Sequence, residues 1–507
     1  MRIPRIDSSR ELTRFRLYAP FVRLLEAHNF VTGEYGGESW QALGKYGQTT
    51  PLLPNLVQLT LMAPDLIKSQ QQLLWIRMFL APTVLELQVV RPNDHFPSIS
   101  LPMALYLLRH ISMIAPAIQR LFLIIESEIH DDFPLDNDLD IAWSWEPPLH
   151  DCLRSLTTLR ELTCTDMIFV PQTISAIARL SNLDVLNIWV DGMDPSIMLY
   201  ENQKCIPANP FPSLRQLSIR WADAGTVFTT FKCLTLQNVS SLRLGIEHRA
   251  EDEEIMAGDS WEDQLVELIA KSCPRLTDLR IDFNGYPKPR NLLKPSESGN
   301  TAVMAMSKLQ LDSLYISSAL LGDMGESFPI QNSIYNASYL MIAWPKITKI
   351  HLPQHWGHFN CLYEFSQLPN LQELTLRLGL DYANFDGDMG FNYRDNLDEL
   401  PTGSSPLRTL GASWLTNTSE VGAKPTARTL LHFWPNLERI TFRLDPDDPA
   451  EHEDYPAVLA DIDETNEAIK KFRVSKLNGT EISSDEDEDI EQSESYSELG
   501  GAPAEGK

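Results

Sequence analysis

Apolar and polar positions alternate in a short pattern that returns along most of the chain. Between Leu368 and Leu380 it reads Leu-Pro-Asn-Leu-Gln-Glu-Leu-Thr-Leu-Arg-Leu-Gly-Leu, with Leu371, Leu374 and Leu376 spaced as L-x-x-L-x-L. Strand side chains alternate between faces, so the last two leucines share one side of a short strand and the first sits on the turn leading in. The same spacing starts at Leu56, Val84, Ile118, Leu159, Leu183, Leu214, Val239, Leu276, Leu311, Ile347, Leu371, Leu407 and Leu437. Intervals between these starts run from 24 to 41 residues.

Ahead of many of these strands lies an apolar, helix-like run closed by a proline. Examples are Leu73–Leu80 before Pro82, Met103–Ile114 before Pro116, Gln264–Ile269 before Pro274, and Leu430–Trp434 before Pro435. Leu265, Leu268 and Ile269 fall on one helical stripe, and proline then ends the helix because it has no N–H and restricts the residue before it. One such unit cannot bury its own apolar side and must stack on copies of itself. Helix and strand recurring in order predict an α/β fold, a leucine-rich-repeat solenoid with a parallel β-sheet on the concave face and helices on the convex face. The asparagine expected later in each repeat is mostly missing, Asn284 being one of few candidates.

The pattern divides the chain into four segments. Residues 1–50 read as an N-terminal helical cap and irregular linker, the cap lying over Glu11–Asn29 with Leu12, Phe15, Tyr18, Phe21, Leu24 and Leu25 as its apolar stripe. Residues 51–444 read as the degenerate solenoid of about thirteen units. Residues 445–475 hold a capping helix at Tyr455–Lys471, and 476–507 read as a disordered acidic tail. Insertions at Glu126–His150, Asp191–Phe211, Gly285–Thr301 and Gly379–Pro406 are expected as loops leaving one edge of the solenoid.

Charge sharpens this division. The chain of 507 residues carries a formal charge of −27; the stretch Asp445–Lys507, with 20 acidic and 5 basic side chains, supplies −15 of it. So acidic a chain argues against nucleic acid as a partner, since phosphate attraction needs a basic footprint. No apolar run reaches the roughly 18 residues that cross a bilayer, and Met1–Arg16 carries five arginines and no apolar core, so neither a membrane span nor a secretory leader is expected. Six scattered cysteines without a C-x-x-C pair fit reduced, packed thiols. These readings place the protein in the cytoplasm or nucleus.

The entries Pro54-Asn55-Leu56, Cys273-Pro274-Arg275-Leu276, Pro369-Asn370-Leu371 and Pro435-Asn436-Leu437 resemble the repeat region of fungal F-box proteins with leucine-rich repeats. The opening Leu12-Thr13-Arg14-Phe15-Arg16-Leu17-Tyr18-Ala19-Pro20-Phe21-Val22-Arg23 is similar to the segment that joins the F-box to the repeats in mushroom-type members. The resemblance covers roughly residues 10–445. It implies a substrate receptor of a cullin-type ubiquitin ligase, whose F-box docks on the ligase adaptor while the repeats hold the substrate. The F-box itself is not found in this chain, so the adaptor is an implied partner only if an F-box lies upstream.

The sequence shows no constellation for catalysis, and no cofactor is expected. His351, His355 and His358 come nearest to a metal cluster, yet Pro353 breaks helical spacing and Gly357 implies a turn. Asn384–Asp388 resembles a calcium loop, but Tyr382 occupies the first ligand position. What remains is recognition. The concave register collects Trp189, Arg220, Trp221, Arg243, Arg280, Phe283, Tyr315, His351, Arg377, Trp414, Arg439 and Arg443, the residue types that anchor protein interfaces and fork carboxylates or phosphates. A protein partner bearing acidic or phosphorylated groups follows, for a ligase receptor or for an interaction adaptor with no ligase link. In the tail, Ser483 and Ser484 precede Asp485, Glu486, Asp487 and Glu488 and are candidate phosphorylation sites. Reversing Arg243 and Arg280 to Glu is expected to abolish partner capture without lowering stability, measured by pull-down beside a thermal melt.

Overall fold

The computed structural model describes residues 15–28, 47, 51–62, 76–90, 101–125, 149–190, 206–207, 209–247, 261–284, 307–318, 344–357, 359–379, 397, 400–416, 422–443 and 455–478. Fourteen strands form one open, all-parallel sheet in sequence order. They are β1 Leu24–His28, β2 Gln58–Met62, β3 Glu86–Val90, β4 Arg120–Phe122, β5 Glu161–Thr165, β6 Val185–Trp189 and β7 Gln216–Ala222. There follow β8 Ser241–Glu247, β9 Asp278–Asn284, β10 Ser313–Ser318, β11 Lys349–Gly357, β12 Glu373–Gly379, β13 Thr409–Thr416 and β14 Arg439–Phe442.

Helices precede strands on one side of the sheet: α1 Leu101–Ile114, α2 Leu149–Ser155, α3 Pro171–Ile177, α4 Ala224–Cys233, α5 Trp261–Ser272, α6 Phe359–Ser366 and α7 Ala423–Phe433; the long α8 Tyr455–Asn478 follows the last strand. The apolar positions of the L-x-x-L-x-L pattern all turn toward this side. Leu56, Leu59 and Leu61, like Leu371, Leu374 and Leu376, are fully or almost fully buried in one continuous core.

Twelve of the fourteen strands are entered through a turn in which the N–H of the first apolar residue donates to the carbonyl three residues earlier. Examples are Leu56 to Leu53 (3.1 Å), Leu276 to Cys273 (3.1 Å) and Leu437 to Trp434 (2.9 Å). Proline usually occupies the second place of this turn, where its fixed φ suits the bend and no N–H is needed. The residue in the third place then reaches back to the previous unit. Asn55 donates to the Pro20 carbonyl, Thr83 to Pro54, Thr158 to Pro116, Asn182 to Thr157, Asn238 to Pro212 and Asn370 to Pro345, all within 2.7–3.0 Å. The asparagine missing from the later part of the unit is thus answered by a polar ladder at the entry turn.

That turn corrects the reading of the N-terminus. Ala19-Pro20-Phe21-Val22 makes the same turn, Val22 N–H to Ala19 O at 3.2 Å, and Leu24–His28 pairs in parallel with Gln58–Met62. Among the described residues of this segment, 15–28, only 15–18 are α-helical, followed by a 3₁₀ turn at Ala19–Phe21. The apolar stripe fits two periods at once, and strand pairing with β2 decides between them. This segment is therefore a fourteenth unit rather than a helical cap.

At the other end α8 lies against the edge of β14. The Asn466 side chain accepts from the Ile440 N–H (2.7 Å) and donates to the Ile440 carbonyl (2.9 Å), and Arg473 Nη1 donates to the Leu437 carbonyl (2.8 Å). A side-chain amide thus takes the place of a fifteenth strand at one rung. Val458, Ile462, Ala468 and Ile469 bury the apolar side of the helix. Lys476–Asn478 are helical rather than part of a tail; the remaining tail and most of the four insertions lie outside the described residues. No helix among the described residues is long and apolar enough to cross a membrane. Asn466→Ala strands both backbone groups of Ile440 and should lower unfolding free energy by about 1–3 kcal/mol. A urea titration showing the variant within error of the parent would remove the clip from the stability argument.

Candidate functional site

Strand residues that do not face the helices form the open face, and constant register sets them in rows. One row runs Arg243, Arg280, Tyr315, His351, Thr375 and Gly411 across β8–β13. Beside it runs Ser241, Asp278, Ser313, Lys349, Glu373, Thr409 and Arg439. Contacts along these rows join the side chains into a chain of alternating charge and ring.

Its centre is Asp282, buried at 4% exposure on β9. Arg280 grips both its oxygens, Nε at 2.8 Å and Nη2 at 3.1 Å, and Arg243 Nε stands 3.5 Å away. A buried carboxylate is tolerated when paired and hydrogen-bonded in this way. Arg280 also lies 3.9 Å from the centroid of Tyr315, a cation–π contact. Tyr315 and His351 rings are 6.2 Å apart, and His351 Nδ1 is 2.9 Å from Thr375 Oγ1. Gly411 keeps room for that threonine, since a Cβ there would collide with Thr375 Oγ1.

Glu373 gathers two cations, Lys349 Nζ at 2.8 Å and Arg443 Nη1 at 3.6 Å, with the His351 ring nitrogen Nε2 at 3.8 Å. The hydrogen bond from Lys349 holds the Glu373 carboxyl below its ordinary range. Burial, with the Arg443 guanidinium next in weight, pushes His351 below its ordinary value, so the imidazole is neutral at physiological pH. The partners that the sequence reading missed are therefore Asp282, Glu373, Lys349 and Thr375. Lys349, Glu373 and Thr375 stand in the same two rows as the cations, and Asp282 in the next row, level with Gly245 and Ser317, so extending the register to every residue type would have found them.

A second group lies toward β4–β7. Phe122 meets Trp189 edge-on at 6.1 Å, and the Arg220 guanidinium is 5.5 Å from the Trp189 ring. Beyond Ile219 the pairing of β7 with β8 slips, resuming at Ala222 with Ile246. At this bulge Trp221 takes φ 63° and is 38% exposed. A non-glycine residue held in the left-handed region costs about 1–2 kcal/mol, and bulges of this kind re-aim side chains.

Three of the predicted anchors need restating. Phe283 is fully buried, because Leu279, Ile281 and Phe283 alternate onto the core side of a strand longer than the pattern suggested; it is not a surface anchor. Arg377 is half-buried on β12, with Trp356 and Trp414 as its backbone neighbours in register; the Trp414 side chain lies outside the described residues. Arg439 and Arg443 are exposed at the β14 end. His355 and His358 side chains also lie outside the described residues, as does the Asn384–Asp388 loop.

Among the described residues no group of three His, Cys, Asp or Glu side chains could hold a metal ion. Cys152, Cys164, Cys233 and Cys273 are thiols outside any disulfide, and burial pushes Cys273 up to about 12, far from a reactive thiolate. Burial likewise pushes Glu364 up to about 7, but Glu364 stands on helix α6, away from these rows. No protein-family model matches the chain, and no curated protein matches it.

The grip on Asp282 revises one expectation. Reversing Arg243 and Arg280 to Glu would set three carboxylates together around a buried site, so stability must fall along with any binding. Arg280→Ala alone should cost about 3–5 kcal/mol by leaving Asp282 buried and under-paired. Arg280→Ala with Asp282→Asn should recover much of that loss in a double-mutant cycle read by chemical denaturation; additive losses would show that the pair is not coupled.

Proposed function

We propose that this chain is a leucine-rich-repeat scaffold for protein–protein recognition, with the open face of the sheet as its contact surface. The observation that carries the reading is the strained bulge at β7. Backbone strain is retained where surrounding structure over-determines it, commonly at sites of contact, and here it presents a tryptophan to solvent beside the Phe122–Trp189–Arg220 stack. Tryptophan and arginine are the side chains most enriched among interface anchors. Arg443 and Arg439, exposed at the other end of the face, supply cations for an acidic or phosphorylated partner.

A narrower reading makes the scaffold the substrate-holding part of a ubiquitin-ligase receptor. It is favoured by the unit Ala19-Pro20-Phe21-Val22, which falls in the stretch resembling the family's junction between F-box and repeats. Here the apolar Leu17, Tyr18, Phe21 and Leu24 are exposed. Co-purification with a cullin-ligase adaptor would support this narrower form, and its failure would leave the adaptor form of the scaffold standing.

Trp221→Gly tests the broader reading without penalising the fold, since glycine adopts positive φ freely. The variant should melt at or slightly above the parent temperature yet lose, by cross-linked capture from cell extract, proteins that the parent retains. Arg443→Glu should lose the same proteins. An unchanged captured set for both variants would overturn the assignment of this face.

A further inference from the structure

The cationic residues of the open face gather toward its C-terminal end. On β11–β14 and the residue that follows, Lys349, Arg439 and Arg443 accompany a single carboxylate, Glu373, among the described strand residues turned away from the helices. Glu373 already serves two of them, at 2.8 and 3.6 Å. Among these described residues, three cations beside one carboxylate make a local excess of positive charge, in a chain whose net charge is −27.

The direction of α8 brings an anion to this place. Asn466 contacts Ile440 whereas Arg473 contacts Leu437 and Asn436, so the helix runs antiparallel to β14 and ends, at Asn478, beyond the entry end of the strands. That is the end of the sheet where Lys349, Glu373 and Arg439 begin their strands. Between Glu481 and Glu498 the chain then carries nine acidic residues and no lysine or arginine. Lys349 stands three strands from β14, about 14 Å at 4.8 Å per strand. Eleven residues of extended chain, from Asn478 to Asp489, span up to roughly 36 Å. The run Asp485–Asp489 therefore reaches every cation of this group.

We propose that the segment 481–498 of this same chain is the resident ligand of the cationic end of the open face. It holds that end against acidic or phosphorylated partners until one displaces it; the proposal rests on the open face being the contact surface. Tethering supplies the affinity that individual exposed ion pairs lack, because a short linker gives millimolar effective concentration. Phosphate on Ser483 and Ser484 would add about −1.5 to −2 charges each and tighten the contact.

The test keeps the full chain and replaces the nine acidic residues of 481–498 by Asn or Gln. The probe is a synthetic peptide of residues 479–498, plain or phosphorylated on both serines, followed by fluorescence anisotropy. The neutral-tail chain should bind the peptide at least about tenfold more tightly than the parent, whose own tail competes. The phosphorylated peptide should bind more tightly still, and the difference between the two chains should close between about 0.05 and 0.5 M salt. Arg439→Glu and Arg443→Glu in the neutral-tail chain should each weaken binding with an unchanged melting temperature. If either fails to fold, Arg439→Gln carries the same comparison. Equal affinity for parent and neutral-tail chains, no binding by either, or binding indifferent to the arginines would overturn the proposal. None of those outcomes touches capture through Trp221, so the two readings fail separately.

Discussion

At twelve of the thirteen steps between strands, one backbone carbonyl accepts two N–H groups from the next unit and fixes where its strand begins. The Arg23 carbonyl takes Val57 and Gln58, the Val57 carbonyl takes Leu85 and Glu86, and the pattern continues through Thr348 with Gln372 and Glu373 to Arg408 with Glu438 and Arg439. Because the fork is always at the position after the first apolar residue, insertions of very different length between units leave the register untouched. Equivalent positions then stand side by side, and a row of side chains becomes a surface property rather than a local one. Stability follows the same geometry: each unit is secured chiefly by its two neighbours, so damage spreads by contact.

The features of this arrangement that were legible in the sequence are those written by burial. Leu371, Leu374 and Leu376 announce a strand and its inward face because only that spacing hides all three. Val22, Leu25 and Ala27 carry the same spacing, but an alanine in the third place and the neighbouring Phe15, Tyr18 and Phe21 made a helix equally consistent with periodicity. Pairing with β2 settles it, and pairing is not a local property. Phe283 was misplaced for a related reason: the pattern shows where a strand starts and not how far it runs. The bulge that presents Trp221 depends on the slip between β7 and β8, which no residue on either strand announces by itself.

Charges on the open face were legible one by one but not as sets. Arg243 and Arg280 look like independent anchors until Asp282 is seen beneath them, two residues along from Arg280 and almost out of solvent. Arg443 is different, exposed at the edge and loosely held by Glu373 at 3.6 Å. The first pair knits the sheet while the second can be turned outward at little cost to the fold. A row of arginines is therefore not one kind of surface, and burial of the nearest carboxylate separates its members.

The nearest-neighbour fork also gives the chain a mechanical character. Pulled from its two ends, a sheet whose strands are hydrogen-bonded only in sequence order has little pairing between distant strands to resist the load, and its units would separate singly. Each release frees a unit of 24 to 41 residues, a gain in length on the order of 80–140 Å at about 3.5 Å per residue. The extension would read as a staircase of uneven treads, and the unevenness would record, step by step, where insertions have lengthened the chain.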